Sequence, residues 1–351
     1  MKPRQINGCF ICLVISSFGL MKLHAKDIYS HPPGQLHCEA GNTQLCSPAN
    51  TFAPSLPKNM DRLPNTNKSH LYTLASLENI TRAELERFNP SPERNFINEM
   101  GFKTIRDALS QDTPYLIEPK THRIWLTSSE SPREVKPDRL AFYEKSLALY
   151  ADTSFEHHFW CNDLSLIPQT VSALQSFTTP IILHEISEIS QNFIAKKLYK
   201  KFLNDRLFAF AGEIARQEIL LQEGGLYTDI GIEKISNLDP YFRHYDLLMC
   251  ISFSWVDNHF LAAKKGSPFL AKSLSLIDRL PSTLATHAIT PESKSIHWLL
   301  TVDTWQLVAA ITNHTFGPEA FLYEGIDYRV HGLGTWYSDE EKLTVDYLNA
   351  D

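Results

Sequence analysis

The chain carries no long basic run, and its 33 Lys+Arg are outnumbered by 40 Asp+Glu, a formal net charge of −7. That balance argues against a nucleic-acid or anionic-membrane partner held by bulk charge. No apolar stretch reaches the about 20 residues that a spanning helix needs. The longest, Cys9 to Met21, has 13. The 6 cysteines include no C-x-x-C pair facing a second such pair, which argues against a structural zinc centre. Internal repeats and low-complexity tracts are absent. What remains is a chain of 351 residues, 43% hydrophobic and 11% aromatic. Such a composition can bury a sizeable core, in one large domain or two smaller ones.

The N-terminus differs from the rest. Lys2 and Arg4 precede the uncharged run "CFICLVISSFGLM", and a polar stretch follows. This is the build of a signal peptide over residues 1–25, and a short uncleaved anchor at 9–21 is the alternative. Either reading sends the chain out of the cytoplasm or to a membrane. In an exported chain Cys38 and Cys46, which flank a polar loop, are able to pair. Cys161 and Cys250 lie in apolar runs and read as buried free thiols. Residues 26–116 are polar and linker-like, with helical text inside them. Thr81 followed by Glu84 has the spacing of a capping box. Asn79-Ile-Thr and Asn313-His-Thr are glycosylation sequons.

From 117 to 351 the pattern changes. "THRIWLTS", "FEHHFWCND" and "PIILHEI" read as strands, and "DRLAFYEKSLALYA" and "IPQTVSALQSF" as helices. Alternation of this kind predicts an α/β domain: a Rossmann-like, mostly parallel sheet with helices on both faces. Ligands of such sheets sit beyond the carboxyl ends of the strands, so the residues just after each strand are the ones to inspect.

One stretch combines several signals. Asp205 to Gly225 reads as a helix with a core face, on which Glu213 and Arg216 lie one turn apart. Gly224 and Gly225 stop it. "LYTDIGI" then reads as a strand with Asp229 near its end. One reading is a nucleotide-sugar site, because a diphosphate leaving group needs a carboxylate-held metal or an arginine. The plainer reading is a surface ion pair and a turn residue.

Other segments weigh on that choice. "AGEIARQEILLQEGGLYTDIG" resembles the signature of glycosyltransferases with a D-x-D sugar-binding region, the yeast-type mannosyltransferases and the glucosylating clostridial toxins. Arg216, Gly224, Gly225, Tyr227 and Asp229 match; Glu213 stands for the usual Asp, and Gly231 replaces the second Asp. "IEPKTHRIWLTS", "FWCND", "DNHFLAAKKGSPFL" and "HGLGTWYS" resemble further segments of that family, in the same order, over roughly Ile117 to Ser338. The resemblance implies a GT-A type fold, a UDP- or GDP-sugar donor, retention of configuration, and a protein, lipid or glycan acceptor. It implies that Trp125 stacks on the base, that Arg216 and Glu213 hold nucleotide or sugar hydroxyls, and that Tyr227 lies near the donor. Asp229 then touches ribose or metal, Asp163 ends the second strand of the site, and His331 and Trp336 belong to a closing segment.

Gly231 leaves the metal, Mn²⁺ or Mg²⁺, short of a ligand. Three readings stay open: Glu233 reaches in from the same strand face, the site works without a metal through Arg216 and Lys264 or Lys265, or the chain binds a donor without transferring it. His157 and His158 read as a half-exposed strand pair, His122 and His184 as structural, and Trp298 and Trp305 as core residues.

Overall fold

A computed structural model describes residues 68–87, 113–252, 255–280, 299–312, 321–323 and 328–331. The signal-like segment, Cys38, Cys46, Asn313, Trp298 and Trp336 lie outside the described residues. Those described all belong to one compact unit, Arg62–Asp351.

In chain order the elements are α1 (Lys68–Leu77), α2 (Arg82–Arg87), β1 (Lys120–Trp125), α3 (Pro137–Leu147), β2 (Glu156–Cys161), α4 (Pro168–Gln175), β3 (Ile182–Glu185), α5 (Ser187–Ser190), α6 (Lys196–Asn204), α7 (Phe208–Glu223), β4 (Gly225–Thr228), β5 (Ile232–Lys234), α8 (Asp239–His244), β6 (Leu247–Ser252), β7 (Trp255–Ala263), α9 (Pro268–Asp278), α10 (Val302–Thr312), β8 (Phe321–Tyr323) and β9 (Tyr328–Val330). Seven strands form one sheet in the order β3-β2-β1-β4-β7-β6-β8. β7 runs antiparallel to both its neighbours, and every other pairing is parallel. β5 and β9 form a separate antiparallel pair.

The sheet is covered on both faces, as the alternation of elements implies. Consecutive strand residues enter different cores: Tyr227 packs in the cluster that holds α6, α7, α9 and α10, while Leu226 packs with Tyr241 and Phe242 of α8. A third cluster sets α3 and α4 against Trp125, Phe159 and Cys161. Two-sided cover corrects one expectation. His157 and His158 are not half-exposed; both are buried, because β2 is covered on both faces beyond its first residue, Glu156. His157 shares a 2.8 Å hydrogen bond with Thr121 Oγ1 and sits on the side opposite His158. Cys161 and Cys250 are buried free thiols, and burial pushes the Cys161 thiol up to about 12.

Helices α1 and α2 join the main core through Leu71, Leu74, Ala75 and Leu85. The Thr81 capping box is present: Glu84 N–H donates to Thr81 Oγ1 at 3.2 Å, and Glu84 Oε2 accepts from Thr81 N–H at 2.8 Å. α7 is the central helix, with an unbroken buried run from Phe210 to Leu220. Its Gln217 is a buried hub. The side-chain amide donates to Leu300 O at 3.0 Å, and its oxygen accepts from Ser273 of α9 at 2.7 Å and from the Trp305 indole of α10 at 3.1 Å. Trp305 is thus a core residue.

The helix-to-strand junction explains the paired glycines. Gly224 (φ 71°) and Gly225 (φ 95°) both occupy the left-handed half of backbone space. A Cβ at Gly224 would lie 1.8 Å from Glu118 Oε2, and one at Gly225 would lie 2.7 Å from Lys120 O. This tight approach lets His122 Nε2–H donate to Gly224 O at 2.8 Å, while His122 Nδ1 accepts from the Trp160 indole at 3.1 Å. Burial, with His158 beside it, holds His122 well below the ordinary imidazole range, against the hydrogen bond to Gly224 O. Its role is structural: it fastens β1 to the turn that starts β4.

Candidate functional site

The run expected as one strand from Leu226 to Ile232 is broken. β4 ends at Thr228 and the chain turns through Asp229, Ile230 and Gly231 before β5 begins. Ile232 N–H donates to Asp229 O at 3.0 Å and closes the turn, while Asp229 N–H donates to His259 O on β7 at 2.9 Å. Arg123 fixes the turn from beneath. Its guanidinium donates to Asp229 O and, at 3.0 Å, to Ile232 O. It lies 4.9 Å from the Tyr143 ring centre, and burial lowers its pKa to about 10. Nothing in the sequence marked Arg123, since one arginine inside a strand carries no motif. Its burial next to the glycine turn becomes visible only when β1 and β4 pair.

Four expected site residues meet at this turn. Arg216, 2% exposed in its side chain, lies 3.3 Å from Glu213 Oε1 and 3.4 Å from Asp229 Oδ1. Its charge sits 4.5 Å over the Tyr227 ring. The Tyr227 hydroxyl donates to Asp229 Oδ1, and burial raises the phenol well above its ordinary range, so it stays a donor. Asn258 of β7 completes the group: its side-chain amide donates to Glu213 Oε2 at 2.5 Å, and its backbone oxygen accepts from Arg216. The Glu213–Arg216 pair is therefore buried and not a surface pair. Asp229 is the carboxylate of the group that meets solvent, 21% exposed, backed by a cation and a phenol. Such a carboxylate is a pre-oriented acceptor for hydroxyl groups. Asn258 is the second residue of the quoted segment "DNHFLAAKKGSPFL".

The remaining candidates are placed around this group. Trp125 ends β1, at the same carboxyl edge of the sheet. Its ring is 5% exposed, covered by Val135, Leu140 and Tyr143, and its indole N–H donates to Arg133 O at 2.7 Å. Asp163 follows β2, two strands from β4, and caps a short helical turn by accepting from Ser165 N–H at 2.8 Å. Lys264 is spoken for, 2.9 Å from Asp246 Oδ2. Glu233 does not continue the face of Asp229, because the turn separates them and Glu233 belongs to β5. Its carboxylate is engaged instead by Lys145 and, at 2.6 Å, by His331 Nε2. Burial opposes that charge, and Lys145 and His331 outweigh it, so the Glu233 carboxyl is held below its ordinary range. His331 is itself clamped: its ring stacks on Phe142 at 3.7 Å, its N–H donates to Gly231 O at 3.0 Å, and its carbonyl accepts from Arg139. His331 thus lies against the Asp229 turn.

Among the described residues no group of three or more His, Cys, Asp or Glu is placed to hold a metal ion. The turn offers one carboxylate, Asp229. Mg²⁺ is commonly held by one or two carboxylates plus substrate phosphates and water, so a single-carboxylate site suits that ion only together with a phosphate ligand.

No protein-family profile matches the chain, and no curated protein sequence does. Among solved structures, the PaToxG glycosyltransferase is 13% identical, with a TM-score of 0.39, over 80% of this chain and 94% of that one. The UDP-bound glycosyltransferase domain of the YGT toxin is 12% identical, with a TM-score of 0.35, over 47% of this chain and 62% of that one. The catalytic domain of alpha-toxin from Clostridium novyi is 11% identical, with a TM-score of 0.35, over 83% and 94%.

Proposed function

We propose that the chain is a GT-A type glycosyltransferase that takes a UDP- or GDP-sugar and passes the sugar, with retention, to a protein, lipid or glycan acceptor. The observation that carries this reading is the buried Glu213–Arg216–Tyr227 group, which presents the part-exposed Asp229 carboxylate at the ligand edge of a mostly parallel sheet. In this reading Asp229 accepts hydrogen bonds from ribose or sugar hydroxyls, and Arg216 fixes the carboxylate that does so. Glu213 and Asn258 hold Arg216 in register, and Arg123 holds the turn. Trp125, at the carboxyl end of β1, is the residue proposed to face the base. Asp163 borders the donor pocket on the β2 side. His331 and Trp336 bring the C-terminal segment over the diphosphate, which excludes water from the reacting bond. When bound, Mn²⁺ or Mg²⁺ neutralises the diphosphate leaving group, with Asp229 as its protein ligand. Glu233, engaged by Lys145 and His331, serves the closing segment and not the metal. Residues 1–25 direct export, or anchor the chain.

Titration calorimetry with UDP- and GDP-sugars tests the pocket. The full chain is expected to bind one of them, and Asp229→Ala to lose that binding while unfolding as the parent does. Binding without any release of nucleoside diphosphate identifies a silent donor-binding module. No binding, with metal or without, ends the reading.

A further inference from the structure

We infer that the outer face of α6 is a docking surface for an anionic lipid bilayer. The helix carries Lys196, Lys197, Lys200 and Lys201 within six positions, in a chain whose net charge is −7. At 100° per residue the four lysines fall within one arc of about 140°. The opposite arc is spent on the core, where Leu198, Tyr199 and Phe202 are buried. The fold therefore fixes which way the basic face looks. Lys197 and Lys200 are exposed. Lys201 is paired with Asp205, and Lys196 donates to Gln191 O at 3.2 Å.

Helix stability does not account for this arrangement. Lys196–Lys200 and Lys197–Lys201 are like-charge pairs at i,i+4, each unfavourable by a few tenths of a kcal/mol. A helix under pressure for stability alone would alternate signs on this face. Next to its first turn Ile194 is 39% exposed, an apolar side chain beside the cations. A basic face with an adjacent apolar residue is suited to the interface of an anionic bilayer. The position is also informative. Arg206, just past the helix, pairs with Glu130 in the loop after β1, so α6 borders the edge of the sheet where Asp229 lies. A bilayer held by this face would sit beside the candidate site. The inference does not depend on the glycosyltransferase reading.

Vesicle co-sedimentation of the full chain decides it, using phosphatidylcholine alone and phosphatidylcholine with about one third phosphatidylserine. Wild type is expected to favour the anionic vesicles, and high salt to remove the preference. Removing both exposed lysines, Lys197→Ala with Lys200→Ala, is expected to weaken anionic binding about 25-fold, at about fivefold per lysine, with unchanged binding to phosphatidylcholine. Any contribution of the apolar run at residues 9–21 appears equally on both vesicle types and in both proteins. Equal binding of wild type to the two vesicle types overturns the inference. So does a double variant that keeps the anionic preference, or a preference for heparin over anionic vesicles. The unfolding curve of the double variant, expected to match wild type because both side chains are solvated, separates loss of the surface from loss of the fold.

Discussion

Replacing Arg216 by Met tests whether the buried ion pair under Asp229 holds the site together. The Glu213–Arg216 separation is 3.3 Å and both side chains are 5% exposed or less. At an effective dielectric of about 20, two unit charges at that distance attract by roughly 5 kcal/mol before desolvation is subtracted. Removing one partner of such a pair typically costs about 3–5 kcal/mol, because the other charge is left buried and unpaired. Against a total stability of about 5–15 kcal/mol, that is a large loss. Glu213→Gln alone is expected to lose less, since Gln still accepts from Asn258. The double variant is expected to recover part of the Arg216→Met loss, giving a coupling of about 2–3 kcal/mol in the cycle. Urea unfolding of the four proteins, with unchanged denaturant slopes, supplies the numbers. A coupling below about 0.5 kcal/mol would mean that the two residues contribute independently, and that the pair does not organise the turn.

The buried histidines set the response to acid. Burial lowers His157 to about 3 and His158 to about 4, and holds His122 well below its ordinary range, so each takes up a proton on unfolding below pH 6.5. Burial raises the Glu218 carboxyl to about 7, and this group releases a proton on unfolding between pH 4.5 and 7. Near pH 5 the balance is three protons bound and one released, 3 − 1 = 2. Stability is therefore expected to fall by roughly 2–3 kcal/mol per pH unit as pH drops through 5, in urea melts at constant salt. A flat profile between pH 6 and 4.5 contradicts the assignment. Glu218→Gln is expected to steepen that acid loss by about one proton and to gain stability above pH 7, because its stabilising form is lost as pH rises through 7. Gly225→Ala meets both a φ of 95° and the Lys120 carbonyl at 2.7 Å, and is expected to cost about 3 kcal/mol or more in the same melts. A cost under 1 kcal/mol would show that the turn yields easily.

Much of the fold was legible because its signals are local. The spacing of Leu140, Tyr143, Leu147 and Tyr150 announced a helical face, and all four are buried, the first three on α3 and Tyr150 in the short turn after it. Gly224-Gly225 marked a turn that only glycine accepts, and Thr81 with Glu84 marked a helix start. Glu213, Arg216, Tyr227 and Asp229 were readable as a set because one helix turn, a glycine stop and a short strand bring them together with little help from the rest of the chain. What failed to show depends on long-range contact. The break after Thr228 is made by Arg123, a hundred residues upstream, and by the His259 carbonyl. Continuous-strand spacing therefore pointed Glu233 at the wrong partner, since its carboxylate meets Lys145 from α3 and His331 from the segment after β9. His157 and His158 look amphipathic in sequence, yet helices cover both sides of β2. The packing of α3 against Trp125 likewise depends on contacts between segments distant in sequence.

The central claim is that Asp229, held by Arg216 and Tyr227, is the donor-binding carboxylate of a glycosyltransferase. The direct measurement is release of UDP and GDP from their sugar conjugates by the full chain, with Mn²⁺, with Mg²⁺ and with chelator, beside Asp229→Asn. Wild type is expected to release one of the two nucleotides, and Asp229→Asn to be slower by about 100-fold or more with its urea midpoint little changed. Absence of release under every condition, or an Asp229→Asn protein as fast as wild type, contradicts the claim.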